Sequence, residues 1–180
     1  MGSREGGGVT TTRRRGLTVL AIACVLAAAP MTRGADSPRM MGWLEKVRVE
    51  NTGIEIVAKI DTGADYSSLD ARSIRSVRRD GENWVSFTIM GDKGQTLELE
   101  RRVYRYTTIR RAGGDEQKRP TVILGLCVGS VYREVQVNLV DRSTLEYRML
   151  IGRDFLQGRY VVDSARTYVT TPECPETKTR

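Results

Sequence analysis

The sequence predicts an all-β domain, and two observations carry that reading. From Trp43 onward, short runs of alternating apolar and polar residues recur, separated by turn signals rich in Gly, Asp and Asn. Within that stretch only Asp154–Gln157 has the pattern of a helical turn. A chain of 180 residues is long enough for one such domain with its own core.

Taken in order, residues 1–34 stand apart. Arg13-Arg14-Arg15 precedes the thirteen-residue apolar run Leu17–Ala29, after which the chain turns polar. That order reads as an export signal, and the run is short for a membrane span. Arg14-Arg15-Gly16-Leu17 also resembles a twin-arginine signal. No clean small-x-small cleavage site precedes Asp36, so an uncleaved N-terminal anchor is the other reading. Either way the expected location is the periplasm or cell envelope, with membrane contact only through that segment.

The predicted domain occupies residues 40–170. "WLEKVRV" and "IEIVAKI" flank Glu50-Asn51-Thr52-Gly53, a hairpin signal. Asp80-Gly81-Glu82-Asn83 separates Ile74–Arg79 from "WVSFTIM", and Gly91-Asp92-Lys93-Gly94 turns into "QTLELE". "RRVYRYTTIR" leads to a polar loop, Ala112–Lys118, that Pro120 ends. "TVILGLCVG" and "REVQVNLV" form another pair, and "YRMLIG" and "RYVVD" close what reads as an antiparallel domain. Asp141-Arg142 most simply caps a turn. Thr171–Arg180, with two prolines and mostly polar side chains, reads as a loose tail.

The net charge of +7 is largely a property of the leader. Removing its five arginines and one glutamate leaves 24 basic and 21 acidic residues, a net of about +3. That is no nucleic-acid footprint, which needs a dense basic face. The clusters Arg101-Arg102-Arg105 and Arg110-Arg111 sit among strand residues and read as a solvated face, or as a rim that favours an acidic peptide. Cys127 and Cys174 remain after the leader; they either form one disulfide, as an exported pair can, or leave Cys127 as a core residue.

Much chemistry is excluded by composition. The chain has no histidine, which removes Ser-His-Asp and Cys-His catalysis and every His-containing zinc site. Two cysteines cannot close a tetrahedral cage, no calcium-loop spacing occurs, and no Gly-rich phosphate loop is present. No metal or cofactor is called for. If the chain is an enzyme, carboxylates do the chemistry.

That directs the search to "AKIDTGADYSS". Asp61 is either the first residue of a turn or an active-site acid, because Asp and Gly are what any turn selects. Carboxylate-only peptide hydrolysis needs two aspartates sharing one proton, since like charges about 3 Å apart cannot both ionise. The sequence holds one Asp-Thr-Gly, and a tight loop would point Asp65 away from Asp61. The simplest second carboxylate is Asp61 of another copy across a two-fold axis. A Thr62 hydroxyl could then lock the two loops, and Gly63 would let the backbone approach the dyad.

"AKIDTGADYSSL" resembles the active-site loop of retropepsin-like aspartic peptidases, and "MLIGRDFL" (Met149–Leu156) resembles their second signature. The likeness spans roughly Trp43 to Val169. It is strongest to a bacterial subgroup with "IDTGA…SSLDA", "VNLVDR" and "LIGRDFL…VD", long labelled ATP-dependent zinc proteases and in part linked to trimming of glutamate tails. The resemblance implies a closed β-barrel lobe per protomer, with a short helical turn after Gly152-Arg153-Asp154. It implies a homodimeric endopeptidase in which Asp61 is catalytic, Thr62 and Gly63 hold the loop, and Ala64 and Asp65 contact the substrate backbone. Gly152, Arg153 and Asp154 would support the site, Arg153 through an ion pair with a partly buried Asp65.

Ninety-one positions separate Asp61 from Gly152, more than in viral retropepsins, so strands or loops are inserted; Ala112–Lys118 is one candidate. The Trp84–Arg101 hairpin, with its Gly91–Gly94 tip, is the expected flap. Trp84 itself packs at the hairpin base or touches substrate. Two non-catalytic readings stay beside the peptidase: a peptide-binding or scaffold domain that kept the fold, and a monomeric envelope domain in which Asp61 only caps a loop.

Overall fold

Strands form where alternation and turn chemistry coincide. The computed structural model describes residues 1–3, 6–8, 37–50, 52–110 and 116–175. Beyond residues 1–3 and 6–8, the expected leader lies outside the described residues, as do Asn51, residues 111–115 and residues 176–180.

β1 (Arg39–Val49) and β2 (Ile54–Ile60) form the first hairpin, in register from Leu44↔Lys59 to Val49↔Ile54. Ile54, Ile56, Ala58 and Ile60 point into the core, as the period of two requires. β3 (Ser67–Asp70), β4 (Arg72–Arg79), β5 (Glu82–Met90), β6 (Thr96–Arg102) and β7 (Arg105–Arg110) follow. Then come β8 (Glu116–Val128), β9 (Val131–Val140), β10 (Met149–Ile151), the one-turn helix α1 (Arg153–Leu156) and β11 (Tyr160–Thr167).

The ring runs β1–β2–β10–β3–β9–β8 and closes where β8 pairs back to β1 at Arg48↔Cys127 and Val49↔Leu126. β11 lies beside β1 and β7 beside β8. This is the retropepsin-like all-β barrel the sequence predicts, but its helical turn starts at Arg153, within Gly152-Arg153-Asp154 rather than after it.

Three features differ from the sequence reading. The sheet is mixed, because β10 runs parallel to β2, β9 to β3 and β11 to β1. Turn signals report only hairpin neighbours, and these parallel pairs join segments far apart in the chain. Next, Glu116–Lys118 belong to β8, paired with Thr108–Arg110, so part of the expected loop is strand. The extra length between the two motifs is instead housed largely in a separate sheet, β4–β5–β6, whose Val85, Phe87, Ile89 and Leu99 join the barrel's core.

The C-terminal segment is the third. Thr171 to Pro175 are fastened rather than loose: Cys174 is disulfide-bonded to Cys127, and Glu173 N–H donates to Gly129 O at 2.7 Å. Arg48 Nη2 donates to Cys174 O at 2.6 Å. Just upstream, the fully buried Glu45 carboxylate accepts from Gly42 N, Val169 N, Thr170 N and the Thr170 hydroxyl. A polar composition concealed this anchoring, since the bonds are made by backbone groups that any residue supplies.

Candidate active site

β2 delivers Asp61 to the rim of the ring. Its last residue, Ile60, lies opposite Ile151 of β10, and Asp61 N–H donates to Ile151 O at 2.9 Å. β10 is inserted between β2 and β3, so the loop leaving β2 must cross the end of β10 before entering β3. That crossing forces a tight turn. Asp61 Oδ1 accepts the Gly63 N–H at 3.0 Å, and Asp61 O accepts the Ala64 N–H at 3.2 Å. A Cβ on residue 63 would stand 3.2 Å from Asp61 Oδ1, so glycine leaves that carboxylate room.

The Gly152-Arg153-Asp154 segment grips this loop from beneath. Gly152 packs where a Cβ would meet the Tyr66 backbone at 2.5 Å. Arg153 N–H donates to Ala64 O at 2.8 Å and Asp154 N–H to Asp65 O at 3.0 Å. Arg153 Nη1 donates to Thr62 O at 2.9 Å, while Nη2 pairs with the Asp65 carboxylate. The expected pair is present, but Asp65 is not partly buried: its side chain is 70% exposed and that of Arg153 49%. In this single chain the loop end faces solvent, so burial does not explain the pairing; the arginine's hold on two loop residues does.

Asp154 is the half-buried carboxylate of the motif. It accepts from Ser67 Oγ at 3.4 Å and from Gln136 N at 3.2 Å, and burial pushes its carboxyl above the usual range. Ser67 Oγ also takes the Gly152 N–H at 3.2 Å. Asp70, at the far end of β3, accepts from Arg142 N and from Arg72. Thr62 and Arg153 meet Leu156, Tyr160 and Val162 around a groove of about 520 Å³ on the helix side of the loop.

Two assignments change. The tip of the Trp84–Arg101 hairpin is tied to β2: Asp92 N–H donates to Glu55 O at 3.0 Å and Asp92 Oδ2 accepts Val57 N–H at 2.7 Å. Asp92 thus satisfies the part of β2 that the three-residue β10 does not reach, and the hairpin is a brace well short of Asp61 rather than a cover. Trp84 lies under the Arg79 guanidinium at 5.2 Å. The hairpin that touches the active-site loop is β7–β8, through Arg105 stacked on Tyr66 at 4.4 Å.

Arg142 is the other. Asp141 does cap a turn, taking the Ser143 N–H at 2.8 Å, but Arg142 is buried, donating through Nε to Tyr147 O at 3.0 Å. Burial lowers its pKa first and the Arg119 charge next, while Asp70 and Asp61 act in the opposite sense. A buried cation within electrostatic reach of Asp61 is a site feature that "VNLVDR" displays only as a motif. Among the described residues, no three His, Cys, Asp or Glu side chains converge to hold a metal ion.

With this geometry in view, comparison with known proteins is decisive for family. Residues 40–173 match the RimB-like family, described as "Retropepsin-like aspartic endopeptidase RimB". The chain belongs to that family. The RimB-like match takes in the Asp61 loop, the Gly152–Asp154 segment and the disulfide's first cysteine. The chain is also 33% identical over 116 residues to a Shewanella pealeana protein named "Probable alpha-L-glutamate ligase". A Desulfotalea psychrophila protein of the same name is 30% identical over 113 residues. These matches cover 63% and 61% of this chain but only 25% and 24% of those relatives, so the chain spans about a quarter of their length. Among solved structures, Legionella pneumophila Lpg0085, of unknown function, superposes with a TM-score of 0.64 at 29% identity. The overlap covers 75% of this chain and all of that one.

Proposed function

We propose that the chain is an exported aspartic endopeptidase that hydrolyses peptide bonds through Asp61 and Asp61 of the partner subunit in a homodimer. One observation carries this reading: Asp61 is a partly exposed loop carboxylate, and every aspartate brought near its loop is otherwise engaged. Asp65 is paired with Arg153, Asp154 with Ser67 and Gln136, and Asp70 with Arg72 and the Arg142 backbone. The site is half of a dyad.

In the dyad, one carboxyl is protonated and donates a hydrogen bond to the scissile carbonyl. The other, ionised, removes a proton from a water whose oxygen attacks the carbonyl carbon. The tetrahedral diol then collapses, the C–N electron pair leaves with nitrogen, and nitrogen takes a proton from the dyad. No covalent enzyme intermediate forms. The Cys127–Cys174 disulfide fits an oxidising compartment and so favours export.

Asp61→Asn, with unchanged thermal unfolding, is expected to abolish cleavage of a peptide library by the wild-type chain's specificity. Activity per chain should also fall on dilution below the dimer dissociation constant. Cleavage that survives Asp61→Asn would overturn the peptidase reading; activity independent of dilution would overturn the shared dyad.

A further inference from the structure

β1 and β10 lie on either side of β2, and Leu44 and Leu150 both stand opposite Lys59. Trp43, just before Leu44, and Tyr147, just upstream of β10, nevertheless meet edge to face with ring centres 6.0 Å apart. Their contact therefore passes over β2. The inner face of β2 at that level is filled by Ala58 and Ile60 of the core, so the rings cross the face that carries the exposed Lys59. Leu44 agrees with this: it is buried without belonging to the core, because it is covered from the outer face. Asp61 follows Lys59 by two residues, and the alternation of β2, continued past its end, puts both on one face.

The aromatic bridge is held in place and left open to solvent. Arg142 Nε donates to Tyr147 O at 3.0 Å, and the Tyr147 hydroxyl donates to Glu146 Oε1 at 2.8 Å. Tyr168 joins from β1: its N–H donates to Leu44 O at 2.7 Å, and its hydroxyl lies near enough to that of Tyr147 to act on it electrostatically. Tyr168 has a φ of +53°, a left-handed conformation that is costly for a bulky side chain. It is nonetheless 50% exposed, and Leu145, two residues before Tyr147, is 51% exposed. Packing alone does not call for a strained residue whose ring stays in water. Rigid, exposed rings offer a large contact area and lose little entropy on binding.

We propose that Trp43, Tyr147 and Tyr168 form a substrate subsite that takes one large apolar side chain, aromatic or leucine-like, from the peptide. This rests on the peptidase reading, which lays the peptide along the face that carries Asp61. Lys59 and Asp61 are about 7 Å apart along the chain direction, and an extended peptide advances about 3.3 Å per residue. The selected position is therefore about two residues from the scissile bond, and the positions on either side of it are not selected.

The test uses the full chain and acetylated, amidated peptides that carry Phe or Ser at one position at a time. Wild type is expected to favour Phe over Ser in kcat/KM at that single position by about tenfold, the lower end of what an apolar pocket contact contributes. Tyr168→Gly removes the ring and suits the left-handed backbone, so it should fold as stably as wild type while the ratio falls toward one. Tyr168→Phe should keep the ratio. A ratio unchanged in Tyr168→Gly, or an equal fall for both peptides, would overturn the proposal. So would a Tyr168→Gly protein whose one change is a raised dimer dissociation constant in sedimentation, since the rings would then cover a second copy. Binding is read separately on Asp61→Asn/Trp84→Phe protein, in which Trp43 is the one remaining tryptophan and its emission reports a peptide on the rings. Phe peptides should bind about tenfold more tightly than Ser peptides and shift that emission. Equal binding with unmoved emission refutes the subsite, while a binding preference that stands although wild type cleaves nothing refutes the peptidase reading alone.

Discussion

Arg153 and Thr62 stand 91 positions apart in the chain, yet Arg153 Nη1 donates to Thr62 O at 2.9 Å while the same guanidinium pairs with Asp65. One side chain from the second motif therefore holds both flanks of Gly63 and Ala64. The loop's position relative to β10 is set by this arginine as much as by the backbone.

Replacing Arg153 tests how that hold divides between stability and activity. Both partners are largely solvent-facing, and exposed ion pairs contribute about 0–1 kcal/mol. Arg153→Ala should lower the unfolding free energy by about 1 kcal/mol in urea titration. Cleavage should suffer more, falling on the order of 100-fold in kcat, because a small displacement of a reacting group is that costly. Arg153→Lys, with charge but no fork, should lie between. Equal losses in the two measurements would contradict the positioning role.

Gly152 is required for space rather than for an unusual backbone, since its φ of −91° and ψ of 178° suit any residue. A Cβ there would sit 2.5, 2.7 and 2.9 Å from the Tyr66 carbonyl carbon, oxygen and nitrogen. Backbone cannot move aside as a flexible side chain can. Gly152→Ala is expected to destabilise by about 1–3 kcal/mol, as overpacking does, with the shift read in the denaturation midpoint. A midpoint equal to wild type would show that the loop can retreat freely from β10.

Much of this was legible in the sequence, and the gaps have physical causes. β2 and β5 alternate clearly because each has one face on the core, while β1 and β9 alternate only in part, the end of β9 being buried on both faces, and Asp-Thr-Gly and Gly-Arg-Asp mark the two segments that meet. β3 carries no such signal: Ser67, Ser68 and Asp70 are polar yet buried between β9 and β10, where the Ser67 hydroxyl and the Asp70 carboxylate are hydrogen-bonded while Ser68 Oγ has no partner among the described residues. Arg142 and Arg105 were equally silent. An arginine in a basic-looking strand and an arginine at a turn look alike on paper; burial against Tyr147 O and stacking on Tyr66 separate them from Arg101 and Arg102. The flap was misplaced because a Gly-Asp-Lys-Gly turn signals a hairpin without saying what its tip touches, here the edge of β2.

Asp154 gives a pH-dependent test. Burial raises its carboxyl above the ordinary value, with the hydrogen bonds from Phe155, Gln136 and Ser67 acting against burial. A carboxyl raised on folding means that the folded chain binds its proton more tightly. Its contribution to stability is then fully present below the unfolded value of 3.8 and is lost as pH rises through the raised one. Asp154→Asn, which never ionises, lacks that slope. The difference in unfolding free energy, variant minus wild type, should become more favourable to the variant between pH 3.5 and pH 6 on the order of the carboxylate range. A difference that stays flat across that range would show that Asp154 ionises as easily in the fold as outside it.

The C-terminal segment makes the last prediction. It is held twice, by the Cys127–Cys174 disulfide across 47 positions and by Glu45 through the Val169 and Thr170 amides. Closing a loop of that length restricts the unfolded chain by about 4 kcal/mol on the chain-entropy account, and measured losses of native disulfides run at about 2–5 kcal/mol. Reduction, or the Cys127→Ala/Cys174→Ala pair of substitutions, should therefore lower stability by that amount without unfolding the barrel, because Glu45 still ties the segment to β1. Adding Glu45→Ala leaves the Gly42, Val169 and Thr170 donors without their acceptor, at a further cost of about 3 kcal/mol. Guanidinium titrations with and without reductant read both steps: wild type should shift on reduction, and the double-cysteine variant should not. If wild type is also indifferent to reductant, the disulfide has no part in holding the C-terminal segment against the barrel.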